Sequence, residues 1–153
     1  MQRFTTIAHA LRRADAGQAI AEMAVIAPLL LLLLIGLVEV GRFANFSILV
    51  GNAAHAGVQY GSQNLVTAAD NAGMQNAALA DAQNVAGLTA TATHFCKCSD
   101  GSASTCLPTD CAASHRLLYV QVDTTGTFPS LLHYPGVLGS LQINGHATMR
   151  AAQ

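Results

Sequence analysis

The stretch "GQAIAEMAVIAPLLLLLLIGLVEVG", Gly17 to Gly41, decides how the rest of the chain is read. Between Glu22 and Glu39 stand 16 uncharged residues, Met23 to Val38. A bilayer core takes ~20 apolar residues in a helix. Counted from Ala16 to Val38 the segment has 23 residues, with Glu22 as its one charge. That length predicts a transmembrane helix. Arg3, Arg12 and Arg13 precede it, opposed by Asp15 alone. Basic residues hold the flank they occupy on the cytoplasmic side, which sends everything after Arg42 outside. A cleaved secretory signal would have an apolar region of ~7–15 residues and a small-x-small site behind it. Here the run is longer and "EVGRFANF" follows it, so the segment is expected to be kept as an anchor.

Composition narrows the classes further. The chain has 153 residues, of which 10% are charged and 52% hydrophobic, with a net charge of −1. No basic stripe exists to neutralise phosphates, which argues against a nucleic-acid partner. There is no tryptophan and alanine is abundant, a composition suited to small-residue helices packed closely. The six histidines show no ligand spacing, and no nucleophile elbow, phosphate loop or His-Glu-x-x-His occurs. The expectation is a protein with no enzymatic activity, cofactor or metal.

Along the chain, residues 1–17 form a short polar leader, 18–41 the membrane helix, 42–88 a helical region outside the membrane, and 89–153 a small β domain. Phe43, Phe46, Val50, Ala53, Gly57 and Tyr60 recur at spacings of 3 and 4, an a/d seam continuing the membrane helix as an amphipathic one. Gly51, Ala54, Gly57 and Gly61 would let another helix approach. Pro28 is expected to bend or interrupt this long helix. Ala68–Gly87 reads as a second helix ended by Gly87. Beyond it the period becomes two. Ala90, Ala92 and His94 alternate with threonines, Leu118, Val120 and Val122 share a face, and so do Leu141, Ile143, Ala147 and Met149. "TFPSLLHYPGVLGS", from Thr127, reads as a loop. The fold class is α+β: a long N-terminal helix, a second helix, and an antiparallel sheet of about three strands packed on the helices.

Cys96, Cys98, Cys106 and Cys111 lie within 16 residues. In a translocated chain an even cluster predicts disulfides, and the spacing lacks the Cys-x2-Cys knuckle usual for zinc. Cys96 and Cys98 share a strand face, and a bond between residues two apart would be strained, so each is expected to pair downstream. A hairpin-like return marginally favours the nested set, Cys98–Cys106 with Cys96–Cys111, over the parallel set.

Gly17, Glu22 five residues on, Pro28, and the leucine run together resemble the type IV prepilin processing site. The wider pattern, "RRADAGQAIAEMAVIAPLLLLLLIGLVEVGR" followed by "NAAHAGVQYG", resembles TadE-like minor pilins of the tight-adherence (Tad) pilus. The resemblance implies cutting after Gly17 by a prepilin peptidase, Gln18 as the new N-terminus, and Glu22 as the acid that aligns subunits. Gln18 departs from the phenylalanine or methionine that often follows the cut in type IV pilins. The implied partners are other pilins or pseudopilins, the inner-membrane assembly platform and membrane lipid, with the C-terminal domain periplasmic or extracellular. Two other classes fit the anchor: an uncleaved single-pass scaffold subunit of a secretion complex, and an extracytoplasmic binding module on a signal anchor.

Overall fold

The computed structural model describes residues 2–112, 114–131 and 139–152, with side chains from Gly17 onward. The chain divides into two compact units, Met1–Gly41 and Arg42–Gln153. Helix α1 is assigned over Gln2–Gly61, starting ahead of the expected Gln18 and passing through Pro28 without interruption. Alanine and leucine dominate it, and both are strong helix formers.

In the second unit, α2 (Leu65–Ala69) and α3 (Asn71–Asp81) replace the single helix expected over Ala68–Gly87. Asn64 caps α2, its side chain accepting from the Val66 and Thr67 amides at 2.9 Å each while Thr67 Oγ1 accepts from the Asn64 amide. The break falls at Asp70, C-cap of α2 and N-cap of α3, whose Oδ1 accepts from the Gly73 amide at 2.8 Å. An aspartate that captures a nearby backbone N–H offers the chain an alternative to continuing the helix. After Asp81 the chain turns until Gly87, which sits at φ +72, a left-handed conformation that glycine adopts freely. Gly87 therefore ends the connection into the sheet and not the helix itself.

The sheet has four antiparallel strands in the order β2-β1-β3-β4, with β1 at Thr89–Cys98, β2 at Ala103–Ser104, β3 at Arg116–Pro129 and β4 at Ser140–Arg150. Its inner face buries Ala92 and Cys96 from β1, Val120, Val122, Thr124 and Phe128 from β3, and Ala147 from β4. β3 is longer than the alternation around Val120 suggests. Thr127, Phe128 and Pro129, expected in the loop, pair with Gln142, Leu141 and Ser140. The parity of Val120, Val122 and Thr124 simply continues through Gly126 to Phe128. Most of the remaining expected loop lies outside the described residues.

The sheet packs on the 42–61 part of α1 and on α3. Ala54, Val58, Met74, Ala78, Val120 and Val122 form the main cluster, and Val50, Ala53, Ala82 and Val85 a second. The two regions assigned separately to 42–88 and 89–153 thus share one core. β3 runs opposite to this part of α1: Phe128 meets Phe43 and Phe46, while Val122 lies against Gly57 and Val120 against Gly61. The paired strand ends Pro129 and Ser140 are consequently toward the Arg42 end of the unit, and the cysteine loop toward the Gly61 end.

Candidate functional site

In the first unit, none of the described residues, 17–41, is buried. Val25 is 77% exposed, and the helix is long and apolar enough to cross a membrane. So large an uncovered apolar surface marks a membrane or protein contact. Glu22 stands at its edge, and Gln18 Nε2 donates to Glu22 Oε1 at 3.2 Å, one helical turn away. The amide is a neutral donor and leaves the carboxylate charge in place. A Cβ added at Gly17, Gly36 or Gly41 would meet nothing within 4 Å. The chain's own packing therefore gives no reason for glycine at these positions.

The seam residues behave differently. Val50, Ala53 and Gly57 are buried, Phe46 and Tyr60 half-buried, and Phe43 lies at the rim. Their neighbours belong to the same chain. A Cβ on Gly57 would come within 2.9 Å of the Met74 carbonyl and 3.0 Å of the Val122 methyls, and one on Gly61 within 3.2 Å of Val120. The seam expected to receive another helix receives this chain's own α3 and sheet. A sheet of small and β-branched side chains needs the same close approach as a helix does, so spacing alone does not separate the two. Gly51 is the exception, with nothing within 4 Å.

At the Arg42 end, three aromatic rings meet. Phe43 and Phe46 stand edge-on to Phe128 at 5.6 and 5.5 Å, and the Arg42 guanidinium lies 5.3 Å from the Phe128 centroid. Such contacts fix the rings and hold a cation beside them. Sequence reasoning missed this cluster because it placed Phe128 in a loop.

At the other end the cysteines pair as Cys96–Cys106 and Cys98–Cys111, and none is free. This is the parallel set, not the nested one marginally favoured above. The reason lies in the loop. After the short β2 the chain does not return as a plain hairpin, because Asp110 gathers it. Asp110 Oδ2 accepts from the Thr105 amide at 2.6 Å, Thr105 Oγ1 at 2.8 Å, Ser104 Oγ at 3.0 Å and the Leu107 amide at 3.2 Å. Cys106 takes a positive φ of 71 at this bend. These bonds hold the Asp110 carboxyl below the ordinary carboxylate range, Thr105 contributing most.

The outer sheet face is wet. Phe95 and Tyr119, opposite one another in register, stack at 5.4 Å with Lys97 beside them. Asp123 faces His146 at 2.5 Å and also accepts from Gln121 at 2.8 Å. Both partners lower the Asp123 pKa, Gln121 more than His146.

Against known proteins, the family model described as TadE-like protein matches residues 17–59. The match takes in the glycine–glutamate spacing, the apolar helix and the seam as far as Gly57. The matched segment, under a third of the chain's length, is similar to TadE-like proteins. No curated protein and no solved structure matches the chain significantly.

Proposed function

We propose that the protein is a membrane-anchored pseudopilin that helps assemble a Tad or type IV-like adhesion pilus. The observation that carries this is the TadE-like match over residues 17–59, which begins at Gly17 and contains an apolar helix that its own chain leaves uncovered. In this reading a prepilin peptidase cuts after Gly17, where no internal contact calls for glycine, and Gln18 becomes the N-terminus. The anchor spans the bacterial inner membrane with its arginines cytoplasmic. The disulfide-bonded domain faces the periplasm or exterior, where such bonds persist.

The internal burial of Val50, Ala53 and Gly57 directs subunit contacts toward 17–41. There Glu22 is the register residue. A carboxylate within a bilayer costs a few kcal/mol unless a charge answers it, and the Gln18 amide supplies none. The new α-ammonium of a neighbouring subunit would supply one, and the pairing gains strength in a low dielectric. Other pilins, the assembly platform and lipid are the partners of this surface. N-terminal sequencing of the membrane-bound protein, with and without the peptidase, tests the reading. A start at Gln18 only when the peptidase is present supports it. A mature pool beginning at Met1 favours the uncleaved scaffold instead.

A further inference from the structure

We infer that β4 is a pairing edge for a second copy of this chain, the two β4 strands running antiparallel about a two-fold axis at Gly145. The contact lies wholly within the second unit. It goes beyond the pilus reading and does not depend on it. β4 ends the strand order β2-β1-β3-β4, so one side of its backbone meets β3 and the other meets no strand among the described residues. Hydrogen bonds that continue the ladder past both ends of β4 fix which residues face out. The Ser130 amide donates to the Gly139 carbonyl at 3.2 Å and the Ala151 amide to the Leu118 carbonyl at 2.9 Å, both in the β3–β4 register. In an antiparallel ladder, residues bonded to the neighbouring strand alternate with residues whose N–H and C=O point away from it. The odd-numbered residues of β4 therefore face β3. Gln142, Asn144, His146 and Thr148 direct their backbone groups outward, and these have no hydrogen-bond partner among the described residues.

The side chains do not screen this edge. The Thr125 hydroxyl donates to Asn144 Oδ1 at 3.1 Å, and His146 Nδ1 lies 2.5 Å from Asp123 Oδ1, so both side chains are drawn toward β3. Exposed edges are commonly blunted by proline, lysine or a bulge. Ser140–Arg150 contains neither proline nor lysine, and it pairs with β3 in one unbroken register. The occupant follows from the strand's own pattern. Pairing about Gly145 sets Ile143 against Ala147 of the second copy on the inner face. On the outer face it sets Gln142 against Thr148 and Asn144 against His146. Apolar meets apolar and polar meets polar, as cross-strand pairs require, and the outward backbone groups of the even-numbered residues meet as hydrogen-bonded pairs. Charge agrees with this axis. Arg150 falls opposite Ser140 and His146 opposite Asn144, so no two charges face each other. An axis one residue further on would set the two His146 rings against one another.

The native cysteines are all bonded, so introduced cysteines supply the free thiols for a cross-linking test. Positions 142 and 148 stand ~20 Å apart along one strand, too far for a bond within a chain. In the paired dimer each faces the other's counterpart, within disulfide reach. The full-length protein carrying both Gln142→Cys and Thr148→Cys, solubilised in detergent and oxidised with copper phenanthroline, should become largely covalent dimer. Either single variant should give little. No dimer from the double variant overturns the pairing, and equal dimer from the single variants marks chance collision and overturns it too. A mixed disulfide with a different protein in place of the dimer overturns the second copy as the occupant. Asn144→Pro in the double-cysteine background removes an outward N–H and spares the β3 ladder. It should abolish the dimer while circular dichroism shows the fold retained. Undiminished dimer in a folded Asn144→Pro protein overturns backbone pairing at this edge. Asn144→Lys, which keeps every backbone amide, should also lower the dimer yield, and an unchanged yield there counts against the edge in the same way.

Discussion

Thr124 donates its hydroxyl to the Val50 carbonyl at 2.7 Å, tying the middle of β3 to α1 across 74 residues of sequence. Thr124 is 1% exposed, so this bond is made in the core. Gly145 on β4 completes the contact: a Cβ there would lie 2.5 Å from both Thr124 Oγ1 and the Val50 carbonyl oxygen. Thr124→Val keeps the shape and loses the bond, and should cost about 1 kcal/mol. Gly145→Ala forces backbone apart and should cost more, ~1–3 kcal/mol. Thermal unfolding of the detergent-solubilised protein, followed by circular dichroism, ranks the two. A Gly145→Ala protein that unfolds with the wild type would contradict this helix–sheet seating.

The same substitution should have opposite signs six residues apart. Alanine exceeds glycine in helix propensity by up to about 1 kcal/mol, and at Gly51, where a Cβ meets nothing within 4 Å, that gain should be realised. At Gly57 the Met74 carbonyl and Val122 methyls stand within 3.0 Å, and overpacking of ~1–3 kcal/mol outweighs propensity. Gly51→Ala should therefore raise the unfolding temperature and Gly57→Ala lower it. If Gly57 served only an intermolecular helix contact, both would be stabilising in the isolated protein.

These two glycines also mark what sequence reading can recover. The apolar run, the seam and the alternation of β1, β3 and β4 were legible because each expresses one dominant period, and the α+β class follows from them. What failed depends on single side chains. Asp70 breaks a helix whose composition would have continued through it, and Asp110 folds the cysteine loop away from a simple return. The seam was visible as a face at Val50, Ala53 and Gly57, but its occupant was not, since a sheet and a helix leave the same spacing. The Arg42–Phe128 cluster joins residues 86 apart, and no local pattern announces it.

Disulfide connectivity gives a direct chemical check. Non-reducing peptide mapping should yield Cys96–Cys106 and Cys98–Cys111 and no reactive thiol. A bridge closing a loop of this size contributes on the order of 2–4 kcal/mol. Asp110→Ala removes the acceptor of four hydrogen bonds and should raise the fraction of nested Cys98–Cys106 pairing on reoxidation. An unchanged distribution would mean that the loop is directed by something other than Asp110.

For the membrane segment, Glu22→Ala should leave insertion intact, because it removes a charge from an apolar helix. Pilus assembly should fall sharply. Membrane fractionation and pilus counts separate the two effects, and normal piliation would refute a register role for Glu22.

Acid should weaken the second unit, and Asp70 shows why. Its carboxyl is held below the ordinary value, first by the Gly73 amide and then by the Tyr60 hydroxyl, which donates to Oδ2 at 2.9 Å. Asp100, Asp110 and Asp123 are lowered too, each by its own donors, led by the Ser102, Thr105 and Gln121 side chains. A folded-state pKa below the unfolded one means that the unfolded chain binds protons first. The stabilisation is then complete above the unfolded carboxylate value, near pH 4, and disappears as pH falls through the lower folded values. Tyr60 shifts the other way, raised chiefly by its bond to Asp70. Its contribution holds below the ordinary tyrosine value and is lost as pH climbs past the folded one. Asp70→Asn should thus be less stable than wild type at pH 7, with the gap closing below about pH 4 as Asp70 is protonated in the wild type. Tyr60→Phe should show its gap closing at the alkaline end as well. Unfolding temperatures measured from pH 2 to 11 test both. A constant Asp70→Asn gap across the acid limb would mean that Asp70 supports the α2–α3 break by shape alone, without its charge.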